Sequence, residues 1–117
     1  RGLGDVYKRQ LYDHVFYVNA DNVTIKGFTV TGAARYKAGI RLHNSNNCRI
    51  ENVNASNNWC GIYLDYSSKN IIANNIVSSS DWHGIYLYYS SNNTIANNTA
   101  SNNYYVESTS SSPATIS

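Results

Sequence analysis

The chain repeats itself, and the period leaves few folds open. Gly39-Ile40-Arg41-Leu42, Gly61-Ile62-Tyr63-Leu64 and Gly84-Ile85-Tyr86-Leu87 follow one another at intervals of 22 and 23 residues. The same offsets return Ser45, Ser67 and Ser90; Ile50, Ile72 and Ile95; Asn52, Asn74 and Asn97; and Ala55, Val77 and Ala100. A diverged earlier copy supplies Ile25, Gly27, Phe28 and Val30. A period between 20 and 50 residues is the signature of a stacked repeat, in which each unit buries its apolar face only against its neighbours. Within a unit the apolar residues alternate over short runs such as Ile62-x-Leu64, which is strand periodicity, and no stretch keeps a helical period for three turns. The expected fold is therefore all-β: a single-stranded parallel solenoid of about four coils of 22–23 residues, with three short strands per coil. Leucine-rich repeats share the period, but their L-x-x-L-x-L-x-x-N pattern is missing.

Stacked coils place equivalent residues in columns about 4.8 Å apart. Ile, Leu and Val columns are expected to fill the interior, and the Asn52, Asn74, Asn97 column to chain its side-chain amides along a turn, which would leave Asn97 inaccessible. Composition supports a neutral exterior: only 14% of residues are charged, while 18 Asn, 15 Ser and 11 Tyr supply the polar surface. A length of 117 residues allows one domain and excludes a two-domain enzyme. No run approaches the ~18 apolar residues of a membrane span. Eight of the nine cations fall in the first half, but they form no nucleic-acid motif, and no nucleic-acid partner is expected. Cys48 and Cys60 are too few for a disulfide scaffold, lack CxxC spacing and read as small core fillers.

Residues 1–10 look like translated adapter sequence and are set aside as a non-native leader. Residues 11–106 carry the repeats, and 107–117 read as a Ser/Thr-rich tail or linker. Further coils are expected beyond this piece. Four Asn-x-Ser/Thr acceptor patterns, beginning at Asn22, Asn54, Asn92 and Asn97, are no more than chance supplies in so Asn-rich a chain.

The segments Gly61-Ile62-Tyr63-Leu64-Asp65-Tyr66-Ser67-Ser68-Lys69-Asn70 and Gly84 to Asn98 resemble the repeats of the NosD-like and carbohydrate-binding/sugar-hydrolase families, within the pectin lyase-like fold. The resemblance spans roughly Val15 to Val106. It implies a right-handed parallel β-helix and a location that is extracellular, at the cell surface or periplasmic. It is specific for fold and broad for function, since such repeats serve surface proteins, copper-site accessory proteins, lyases, hydrolases and epimerases alike. No cofactor is read from the residues themselves, and calcium or copper enters only through the resemblance.

Three sets of residues could carry chemistry. Between the inward Ile and Leu of the first strand, alternation turns Arg41, Tyr63 and Tyr86 outward in one column and His43, Asp65 and Tyr88 in another. Arg41 could bind a uronate carboxylate with His43 or Asp65 as general base, as in a polysaccharide lyase, hydrolase or epimerase. The scarcity of Asp after Asp21 argues against catalysis. Aromatic columns form the second set: Trp59 with Trp82, Tyr63 with Tyr86 and Tyr66 with Tyr89, joined by Tyr88. These rings could bind a polysaccharide or cell-surface glycan, or simply stack on one another. Cys60 and His83, one coil apart, are a two-ligand candidate for a soft metal ion. The expected function is a non-catalytic repeat module, a structural spacer with a carbohydrate-binding or adhesive face.

Overall fold

A computed structural model describes residues 6–8, 15–33, 37–101, 105–109 and 114–116, with side chains for 15–33 and 37–101. It is a parallel β-solenoid, and the described residues contain no helix. Four coils each contribute three strands. They are β2 (Phe16–Val18), β3 (Thr24–Lys26) and β4 (Thr29–Thr31); β5 (Ala38–His43), β6 (Arg49–Glu51) and β7 (Asn54–Ser56); β8 (Cys60–Asp65), β9 (Ile71–Ala73) and β10 (Ile76–Ser78); β11 (His83–Tyr88), β12 (Asn93–Ala96) and β13 (Thr99–Ser101). Strands β1 (Val6–Lys8), β14 (Tyr105–Thr109) and β15 (Ala114–Ile116) flank them. Three five-stranded parallel sheets result: sheet A (β1-β4-β7-β10-β13), sheet B (β2-β5-β8-β11-β14) and sheet C (β3-β6-β9-β12-β15). Val6–Lys8 pairs with Thr29–Thr31, and Tyr105–Thr109 with β11.

The register is the one the repeat predicts. Ile40, Ile62 and Ile85 align on sheet B, Ile50, Ile72 and Ile95 on sheet C, and Ala55 and Val77 on sheet A. These side chains, with Val30 and the column Leu42, Leu64, Leu87, are almost wholly buried and form the core. The diverged first coil joins the same columns through Ile25 and Val30.

The polar columns differ from expectation by one residue. Asn52, Asn74 and Asn97 do not chain their amides; they are exposed, with φ of 53°, 59° and 57°. Gly27, at φ 80°, holds the same place in the first coil. The column is a left-handed turn, which Gly and Asn enter more readily than other residues, and Asn97 is accessible. The amide chains run beside it. Asn75 Nδ2 donates to Asn98 Oδ1 at 3.0 Å and to Ile50 O at 3.0 Å, and Asn75 Oδ1 accepts the Val53 N–H at 2.9 Å. At the preceding turn Asn70 Nδ2 donates to Asn93 Oδ1 at 3.0 Å, while Asn70 Oδ1 accepts the Cys48 N–H at 2.8 Å. A serine column closes the set: the Ser45 N–H donates to Ser67 Oγ at 3.0 Å and the Ser67 N–H to Ser90 Oγ at 3.1 Å. These side chains satisfy backbone groups that the corners of the solenoid would otherwise bury unpaired.

Candidate functional site

Three strands of sheet B, β5, β8 and β11, are the longest among the four full coils, with six residues each. Their alternation sets the outer columns where the sequence placed them. Tyr17 pairs with Arg41, Arg41 with Tyr63, and Tyr63 with Tyr86, while His43 pairs with Asp65 and Asp65 with Tyr88. Tyr17 is an addition to the expected set, and the alignment of Phe16-x-Val18 with Ile40-x-Leu42 was the signal for it.

Asp65 is the electrostatic centre of this face. Arg41 Nε donates to its Oδ1 at 3.1 Å and Arg41 Nη2 to its Oδ2 at 3.0 Å, and His43 Nδ1 lies 2.8 Å from Oδ2. The carboxylate side chain is only 4% exposed, against 25% for Arg41 and 27% for His43. Such a bidentate, charge-assisted pair is strong and fixes both planes. The Asp65 hydrogen bonds raise the pKa of Arg41, with the carboxylate's charge adding to them. The guanidinium also lies 5.8 Å from the Tyr17 ring centroid and 5.0 Å from that of Tyr63, so rings approach it from both neighbouring coils. Burial, with the Asp65 charge second, holds the Tyr63 phenol up at about 12. The structure therefore brings Arg41, His43 and Asp65 together, but in an arrangement where the carboxylate is consumed by its two neighbours. Asn44 Nδ2 lies 3.1 Å from His43 Nε2, beyond which the ring meets solvent.

The aromatic columns stack. Trp59 and Trp82 lie 4.3 Å apart at 28°, Tyr63 and Tyr86 5.2 Å apart at 13°, and Tyr66 and Tyr89 5.6 Å apart at 5°. Tyr88 meets the rings of Tyr66 and Tyr89 edge-on. Because most ring faces are turned along the solenoid axis, the surface presents ring edges and phenol hydroxyls. Tyr66 and Tyr89 stand apart in two respects. They are 53% and 57% exposed, and their φ values are 51° and 46°, in a left-handed turn where the preceding coil has Asn44. A bulky residue with positive φ is uncommon.

Cys60 and His83 are both buried, in β8 and β11. Cys60 Sγ lies 3.7 Å from Ile62 O, and burial pushes the Cys60 thiol up, away from the thiolate a metal needs. Burial lowers the His83 pKa, and its ring stacks on Tyr86 at 4.4 Å.

An all-β stack of three parallel sheets with repeat-spaced core columns defines a β-helix repeat protein. The sequence matches the NosD family, described as periplasmic copper-binding protein, over residues 5–115, and the chain belongs to that family. A periplasmic family accords with the expected location outside the cytoplasm. No curated protein and no solved structure matches the chain. No helix among the described residues is long and apolar enough to cross a membrane.

The family description implies copper, and the donors here do not fit it. Among the described residues no three His, Cys, Asp or Glu side chains are grouped. The chain has no Met, and the Cys60 thiol is held protonated by burial. Soft-ion sites need a converging set of thiolate, thioether or imidazole donors, and His43 has its Nδ1 turned to Asp65.

Proposed function

We propose that this chain is a non-catalytic β-helix repeat module, a structural spacer that presents the outer face of sheet B to a polysaccharide or cell-surface glycan. One observation carries the glycan reading: Tyr66 and Tyr89 occupy left-handed turns while more than half exposed. A side chain in that conformation costs ~1–2 kcal/mol, and a stacked pair returns ~0.5–1.5 kcal/mol. Folding alone gains little from tyrosine at these turns, where asparagine suffices one coil earlier. Two parallel, solvent-facing phenols instead suit a sugar polymer, whose hydroxyls pair with the phenol oxygens and whose C–H groups pack on the rings. Trp59, Trp82, Tyr63, Tyr86 and Tyr88 extend this surface.

The alternative, a piece of a lyase, hydrolase or epimerase acting on acidic polysaccharide, draws less support. Asp65 is buried and held by Arg41 through both carboxylate oxygens and by His43 through one, and Arg41 spends Nε and Nη2 on that contact.

The test is a tryptophan-fluorescence titration with neutral and uronic polysaccharides, using Trp59 and Trp82 as reporters. A saturable change that disappears in the Tyr66→Asn/Tyr89→Asn double variant, with folding stability altered by less than about 1 kcal/mol, is the expected result. Undiminished binding by the double variant removes Tyr66 and Tyr89 from the contact. No response from folded wild-type protein leaves the spacer role alone.

A further inference from the structure

We infer that the sheet B face selects uncharged polysaccharide and discriminates against polyuronates. The inference rests on the glycan reading above and adds the ligand class. A polymer of uronates is recognised by cations whose N–H groups are free to form paired bonds with carboxylates. The outer columns of sheet B contain one permanent cation, Arg41, and its fork is closed on Asp65 through Nε and Nη2. Tyr17 and Tyr63 approach the guanidinium from the coils before and after. For Arg41 to turn to a ligand carboxylate, it would have to leave a carboxylate whose side chain is 4% exposed, exchanging a shielded pair for a solvated one.

Among the described residues, the two outer columns of sheet B offer no second permanent cation in exchange. One guanidinium and one carboxylate cancel, and the exposed groups around them are phenols, which donate and accept hydrogen bonds without charge. The neighbouring cations lie outside these two columns: Lys37 precedes β5 in register with Trp59, and Lys69 lies on the following turn in the column of Asn47 and Asn92. Phenol hydroxyls match the hydroxyls of neutral sugars, the exposed ring faces of Tyr66 and Tyr89 take their C–H groups, and a shielded ion pair inside the face adds no charge for a uronate to find.

Matched polymers that differ only in charge provide the test: polygalacturonate against its methyl ester, and β-1,4-glucan against its C6-oxidised form. Wild-type protein is expected to bind the neutral member of a pair at least about tenfold more tightly, with an affinity that stays level between about 20 and 300 mM salt, since the charges of Arg41 and Asp65 are spent on each other. Asp65→Asn removes the carboxylate that holds the fork, and is expected to narrow the neutral-to-charged ratio about tenfold or more. Should Asp65→Asn lose the circular dichroism of the wild type, the wild-type ratio and its salt response decide the matter. Equal or tighter binding of the carboxylated member by wild type overturns the inference and leaves the glycan reading standing. Failure to bind either member of any pair, with the protein folded, overturns both.

Discussion

Sheets A and B share one coil geometry and one register, yet their outer positions are used in different ways. On sheet A the outer columns are short: Thr29, Asn54, Ile76 and Thr99 in one, and Thr31, Ser56, Ser78 and Ser101 in the other. They border a shallow cleft of about 240 Å³ lined by Asn52, Val53, Asn54, Asn74 and Ile76. On sheet B the outer columns are long side chains, and most of them touch the equivalent residue of the next coil through a ring stack, a cation–ring contact or a hydrogen bond. On sheet A the coils meet through the backbone ladder and the core column, with short polar side chains at most outer positions. What sheet B adds is a second layer of coil-to-coil contacts, and that layer is the surface we propose for recognition.

The largest effect should come from the floor of sheet B. A Cβ at Gly61 would lie 2.5 Å from the Gly84 carbonyl oxygen and 2.8 Å from Val77 Cγ1. Gly61→Ala is therefore expected to lower stability by more than about 3 kcal/mol, whereas Ser78→Ala on sheet A should stay within about 0.5 kcal/mol. Thermal unfolding followed by circular dichroism compares them, and similar losses would erase the distinction between the sheets.

The two ion pairs come next. Arg41→Ala leaves Asp65 buried with His43 alone and should cost about 3 kcal/mol. The Arg49–Glu51 pair on sheet C is 51% and 20% exposed, so Arg49→Ala should cost less than about 0.5 kcal/mol. Urea titrations of the two variants read the difference directly.

A finer comparison separates adjacent asparagines. Asn75→Ala removes an amide that closes the turn at Val53 and Ile50 and should cost about 1–3 kcal/mol. Asn74→Gly should be close to neutral, because Gly27 already fills that column. Equal melting temperatures for the two variants would return the amide chain to the Asn74 column.

The smallest effect is a pH dependence at His83. Its pKa is lowered by burial, so between the folded and unfolded values the unfolded chain binds the extra proton. Stability contributed by neutral His83 is present above the unfolded value of about 6.5 and is lost as pH falls through the folded one. Melting temperatures measured from pH 8 to pH 5 should decline on the acid side, and His83→Gln should flatten that decline.

The fold was legible because the repeat is close to exact: once Gly39, Gly61 and Gly84 are aligned, alternation decides which residues face the core. The outer columns Arg41, Tyr63, Tyr86 and His43, Asp65, Tyr88 were legible for the same reason. The amide chain was misplaced by one residue because Asn74-Asn75 and Asn97-Asn98 are both Asn pairs, and periodicity cannot tell an inward amide from a left-handed one beside it. Gly27 opposite Asn52 was the available clue, since glycine at a repeated asparagine position points to positive φ. The depth of Asp65 and its capture by Arg41 and His43 were not legible. Sharing a face is a matter of register, but partner choice depends on side-chain reach and burial, which the alternation does not encode.

The direction of the asparagine contacts has a consequence for how the module comes apart. Asn70 and Asn93 each reach back to the coil before them: Asn70 Nδ2 donates to Ser45 O and Asn93 Nδ2 to Ser67 O, both at 3.0 Å. A coil is thus locked by the one that follows it, as a knitted row is held by the next row's stitches. Removing a coil from either side breaks the same amide bonds but bares different groups: loss of the later coil exposes the Cys48 N–H and the Ser45 carbonyl of the earlier one, whereas loss of the earlier coil exposes only the Asn70 amide.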